Sequence, residues 1–136
     1  MKLDLGSFEK ALASLGRALV RAQAAPEDEE LRDACIQRFG FSFELAWKML
    51  KRRLVIDLPG TGELDGMNYR TLIRTGAEQG LLDDVSARLI YRDKGNLTSH
   101  TYDEKKAKEV YAVIPAFAAH AGELFRRLHS KAVEDA

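Results

Sequence analysis

The sequence predicts an all-α fold, an up-and-down antiparallel bundle of four to five helices. Three observations carry the prediction. Apolar residues recur at steps of three and four through most of the chain, no stretch alternates long enough to make a strand, and the connections between periodic segments are short. With 136 residues, the chain reads as a single domain over 1–136, because halves of it would be too small to build a good core.

The first helix is expected from about Leu5 to Ala24, with Phe8, Leu12, Leu15, Leu19 and Ala22 as one apolar stripe. Pro26 suits the first position of a second helix, and Glu27 to Glu30 favour the positive end of its dipole. That helix continues to about Val55, burying Leu31, Cys35, Phe39, Phe43, Ala46, Trp47, Leu50 and Leu54. Residues 57–66 form a loop by composition. Gly60, Gly62 and Gly66 lack the preceding strand that a nucleotide-binding turn needs, so that reading is rejected.

Asn68 can cap a short third helix carrying Leu72, Ile73 and Ala77 and ended by Gly80. Asp83 or Asp84 caps a fourth, carrying Val85, Leu89 and Ile90. The last helix has the cleanest pattern: Ala107, Val110, Ile114, Phe117, Ala121, Leu124 and Leu128 form a heptad seam, with Pro115 expected to bend it. Residues 130–136 read as a frayed polar tail. Phe41, Tyr91, Tyr111 and Phe125 look surplus to a small core and point to a helical dimer interface.

Charge narrows the function classes. Lys and Arg together number 21, as do Asp and Glu, so the chain lacks the basic excess of a protein held on nucleic acid by phosphate neutralisation. No apolar run approaches the span of a bilayer, no signal-peptide pattern opens the chain, and the single Cys35 cannot form an internal disulfide. The cytoplasm is the expected compartment, with no membrane partner. His120 and His129 have no partner at metal-ligand spacing, so no metal site is expected, and no cofactor motif is legible.

One connection, residues 91–104, concentrates chemistry: Arg92, Lys94, Asn96, Thr98, Ser99, His100, Thr101 and Tyr102 fall between the fourth and fifth helices. Gly95 can end the fourth helix in the left-handed conformation, and Thr101 with Glu104 forms a capping box that starts the fifth. Free N–H groups and the dipole at that helix start favour an anion, and phosphate is the obvious one. His100 could take the proton of a ribose 2′-OH or return one to the leaving oxygen. Arg92 or Lys94 could stabilise charge building up on phosphorus, without a metal. Lys94, Asn96 and Ser99 are the candidate substrate-binding residues. A histidine near a helix start also serves commonly as an ordinary hydrogen-bonding group.

Two segments carry a family resemblance. RDACIQRFGFSFELAWK (32–48) resembles the signature helix of the nucleotidyltransferase substrate-binding proteins, and NLTSHTYDE (96–104) resembles their second signature. These proteins belong to the HEPN superfamily, which includes the HepT toxins. The resemblance implies a HEPN-like antiparallel homodimer encoded beside a minimal nucleotidyltransferase and complexed with it. In the toxin version it implies a metal-independent endoribonuclease acting through an arginine and a histidine four to six residues apart. The transferase neutralises such toxins, in some systems by AMPylation of the tyrosine two places after the histidine. His100 and Tyr102 match those positions. The usual arginine position, directly before Asn96, is Gly95 here, and Arg92 stands eight residues before His100; Gly40 replaces a commonly acidic residue.

Three readings follow: the substrate-binding or modified partner of a nucleotidyltransferase, a HepT-like ribonuclease acting on RNA with His100 and Arg92 as catalytic pair, and a non-catalytic dimeric helical scaffold.

Overall fold

The computed structural model describes residues 3–58, 60 and 66–135. Among these the chain is entirely helical. Its five helices are α1 (Gly6–Ala24), α2 (Glu29–Asp57), α3 (Tyr69–Glu78), α4 (Val85–Gly95) and α5 (Glu104–Glu134). The glycine-bearing loop reading falls largely on residues outside those described.

α1, α2 and α5 form the long-helix frame, and α2 is its hub, packing against each of the other four. The seam expected on α5 is wholly buried from Ala107 to Leu128 and extends to Ala132. It supplies Phe117 to an aromatic cluster at the centre of the bundle. Phe39 and Tyr91 meet that ring edge-on at 4.8 and 5.5 Å between centroids, in the geometry aromatic quadrupoles favour. The helix runs unbroken across Pro115, which lies on its exposed side.

Helix ends depart from the sequence reading in instructive ways. Pro26 lies in the turn before α2; the cap is Asp28, whose carboxylate accepts from the Glu30 and Leu31 amides at 3.0 and 3.1 Å. Asn68 caps α3 as expected, accepting from Thr71 N–H at 2.9 Å. Gly80, at φ 76°, turns the chain after α3, and the following Leu81 and Leu82 are buried. Asp84 caps α4 from a left-handed backbone conformation, at φ 53°. α5 begins later than the Thr101–Glu104 box implies: Asp103 is the cap, accepting from Lys105 and Lys106 N–H.

The tail read as frayed after Ser130 is helical to Glu134 and tied down. Lys131 pairs with Asp57 at 2.9 Å, and Asp135 pairs with the buried Arg53 at 2.6 Å. Burial in α4 also differs from expectation: Arg88 and Tyr91 point inward while Ile90 is 49% exposed. Of the surplus aromatics, Tyr91 belongs to the core and Phe125 packs edge-on against Phe8, whereas Phe41 is 44% exposed.

Candidate functional site

The α4–α5 connection is a chain of tight turns. Backbone bonds join Leu97 N–H to Lys94 C=O, His100 N–H to Leu97 C=O, and Asp103 N–H to His100 C=O at 2.9 to 3.0 Å. The Thr98 hydroxyl donates to Gly95 C=O at 3.1 Å. Gly40 of α2 lets this connection lie close, since a Cβ there would come 3.3 Å from Thr98 Oγ1. Arg32 of α2 fixes the start of α5 by pairing with Glu104 at 2.6 Å while also holding Asp33 at 3.0 Å.

His100 and Tyr102 are brought together. Nδ1 of the half-buried imidazole lies 3.2 Å from the Tyr102 hydroxyl, and Tyr102 itself is 82% exposed. With the ring proton on Nε2, Nδ1 accepts from the phenol and is placed to remove its proton. Ser99 and Asn96 are exposed on the same connection.

The cations go elsewhere. The Arg92 guanidinium sits over the Tyr69 ring of α3, 4.9 Å from its centroid. Lys94 faces Glu109 of α5 at 3.8 Å. No hydrogen bond, ion pair or ring contact among the described residues joins either cation to His100. The surface beside the junction is a depression lined by Glu30, Asp33, Gln37, Thr98 and Thr101, carrying carboxylates where a phosphate-gripping site needs positive charge.

Gly95 is the last residue of α4 and not in the left-handed conformation expected of it. A Cβ there would stand 3.1 Å from the Phe43 ring, so the usual arginine position is pressed against the core.

Two site features were not read from sequence. Tyr91 Oη and His120 Nδ1 lie 2.6 Å apart inside the bundle, and Arg88 is buried beside them with 5% exposure. Burial pushes the Arg88 guanidinium below its usual range, and burial raises the Tyr69 phenol to about 12. Arg88 and Tyr91 sit three apart on one helix face, a spacing that could have flagged them had charged residues been counted.

An all-helical bundle carrying a histidine–tyrosine pair in the turn before its long last helix defines the class. The chain belongs to the nucleotidyltransferase substrate-binding family: the sequence profile described as "nucleotidyltransferase substrate binding protein like" matches residues 3–130. It is 33% identical over 138 residues to a Haemophilus influenzae (strain ATCC 51907 / DSM 11121 / KW20 / Rd) protein named probable ribonuclease HepT, covering 96% of this chain and 94% of that one. A solved Haemophilus influenzae structure, described as revealing the fold of a substrate binding domain of a nucleotidyltransferase, superposes with a TM-score of 0.87. Its identity is 32%, over 93% of this chain and 99% of that chain. A Thermus thermophilus structure gives 0.71 at 35% identity, over 89% and 98%. Among the described residues no helix is long and apolar enough to cross a membrane.

Proposed function

We propose that this chain is the partner of a minimal nucleotidyltransferase encoded by a neighbouring gene, and that Tyr102 is the group the transferase modifies. The observation that carries the reading is the exposed Tyr102 hydroxyl held 3.2 Å from His100 Nδ1. The family match supports a nucleotidyltransferase as the partner. In AMPylation the Tyr102 oxygen attacks the α-phosphorus of ATP, the bond to pyrophosphate breaks, and the phenolic proton passes to His100. The partner supplies the nucleotide and its metal. A hydroxyl this open can enter another protein's active site without local unfolding.

The test is a reaction of the purified chain with that transferase, ATP and magnesium. The reading predicts one adenylyl group per chain, none on Tyr102→Phe, and a rate at least roughly tenfold lower on His100→Gln, in line with loss of a general base. An unchanged mass, or equal labelling of Tyr102→Phe, would overturn it.

A second reading, a metal-independent ribonuclease, is favoured by the name of the 33% identical relative. It needs Arg92 to leave Tyr69, or another cation to approach His100. Incubation with RNA in EDTA tests it: cleavage abolished by His100→Ala and Arg92→Ala supports this reading, and no cleavage removes it. Homodimer formation through exposed apolar side chains such as Phe41 and Ile90 belongs to both readings, and sedimentation of the purified chain tests it.

A further inference from the structure

Arg88, Arg92 and Asn96 recur every four residues along α4 and its cap and share one face. The Arg92 and Asn96 end of that face looks across a cleft of about 300 Å³ between α2, α3 and α4. The cleft is well separated in chemistry from the His100–Tyr102 pair. Its apolar walls come from Trp47, Phe43 and Tyr69, and its polar groups are Glu44, Lys51, Asn68, Arg92 and Asn96. A smaller cavity of about 20 Å³ shares the same three aromatic rings and reaches Arg88.

Two cations, Arg92 and Lys51, and the Glu44 carboxylate line this cleft. Arg92 rests on the face of Tyr69 and makes no hydrogen bond or ion pair with the described residues. Arg88 lies at the smaller cavity, off this cleft, and has no carboxylate partner among the described residues; its two hydrogen bonds go to the Asp83 and His120 carbonyls, both at 3.4 Å. Arg88 is the guanidinium withdrawn from water, whereas Arg92 is exposed and open to an incoming anion. Asn68 spends its carbonyl oxygen on capping α3, which leaves its amide N–H groups as donors. Glu44 offers an acceptor in the cleft and faces Lys48 at 3.9 Å.

We propose that this cleft binds a nucleoside monophosphate, with the base against Trp47, the phosphate on Arg92, and the ribose hydroxyls or base edge on Glu44, Asn68 and Asn96. Aromatic walls without a cation would take any flat apolar ligand, and a cation without walls would take any phosphate. The two together select a ligand with a π-face and an anion on one short frame. The volume lies at the low end for ligand pockets and admits one nucleotide. The same chemistry is offered by a free mononucleotide and by the terminal nucleotide of an RNA strand, and the small volume suits the free form.

Trp47 is the only tryptophan in the chain, so its emission reports on the cleft. Wild-type protein, without any transferase, is titrated with AMP, GMP, CMP and UMP, with their four nucleosides and with ribose 5-phosphate, with calorimetry as the second readout. At least one monophosphate is expected to quench emission saturably and to bind roughly tenfold or more tightly than the corresponding nucleoside and ribose 5-phosphate, since each lacks one half of the recognition. Arg92→Gln should weaken the monophosphate about tenfold and leave the nucleoside unchanged. The helical circular dichroism of that variant is checked against wild type.

An oligoadenylate binding more weakly than AMP assigns the free mononucleotide, and one binding more tightly assigns a strand end. No saturable binding, equal affinity for ribose 5-phosphate, or an Arg92→Gln variant that binds as wild type overturns the proposal. Because no transferase is present, failure here leaves the modification of Tyr102 untouched, and failure of that reaction leaves the cleft untouched.

Discussion

Gly95 shows how a single residue sets limits on this site. It ends α4 with its Cα facing Phe43, whose ring is held by Phe39, Tyr69 and Phe117 at 5.7 to 6.4 Å between centroids. Gly95→Ala should gain about 1 kcal/mol of helix propensity and lose roughly 2 kcal/mol to crowding of that ring. The expected net loss of about 1 kcal/mol is read from urea unfolding. Asp57 makes a second residue-level case. The hydrogen bond from buried Arg53, followed by that from Lys131, holds its carboxyl below the usual range. Because the folded value is depressed, the stabilisation is present above the ordinary carboxylate pKa of about 4 and is lost as pH falls through the folded value. Asp57→Asn should therefore cost roughly 2 kcal/mol at about pH 7, because Arg53 keeps its pair with Asp135, and flatten the loss of stability below about pH 4. His100 and Tyr102 were legible as residues because their types and spacing are local features. That Arg92 would settle on Tyr69 was not, because the direction of a long side chain is decided by helices distant in sequence.

Elements were legible in proportion to their periodicity. The α5 seam could be read residue by residue, since seven apolar positions at heptad spacing admit only one buried face. α4 could not: its inward face carries Arg88 and Tyr91, and counting apolar residues alone selected Leu89 and Ile90 in their place. Two helix starts were misplaced by two or three positions: Asp103 caps α5 in place of Thr101, and α2 begins at Glu29 where Pro26 was expected to be its first residue. Pro115 supports a prediction at this scale. It interrupts the hydrogen bonding of a long helix from an exposed position, so Pro115→Ala loses no packing and restores a backbone donor. An increase in stability of about 2 kcal/mol is expected, seen as a higher urea midpoint with an unchanged slope.

At the scale of the whole molecule, the bundle separates two kinds of chemistry. The α4–α5 junction presents the exposed Tyr102 hydroxyl beside the His100 imidazole, next to a depression lined by carboxylates. The α2–α3–α4 cleft gathers arginine and aromatic rings between helices. α2 links the two, contributing Gly40 beneath the junction and Phe43 and Trp47 to the cleft. The sequence conveyed the all-helical class and the family, because periodic apolar faces and two signature segments are one-dimensional patterns. It did not convey the separation, which depends on how α3 and α4 dock on α2. The most direct measurement is the intact mass of the chain purified after co-expression with the nucleotidyltransferase proposed as its partner. The account predicts a complex in which the chain carries added adenylyl mass that is absent from the Tyr102→Phe variant. An unmodified chain that does not co-purify with the transferase, or added mass that survives Tyr102→Phe, would contradict it.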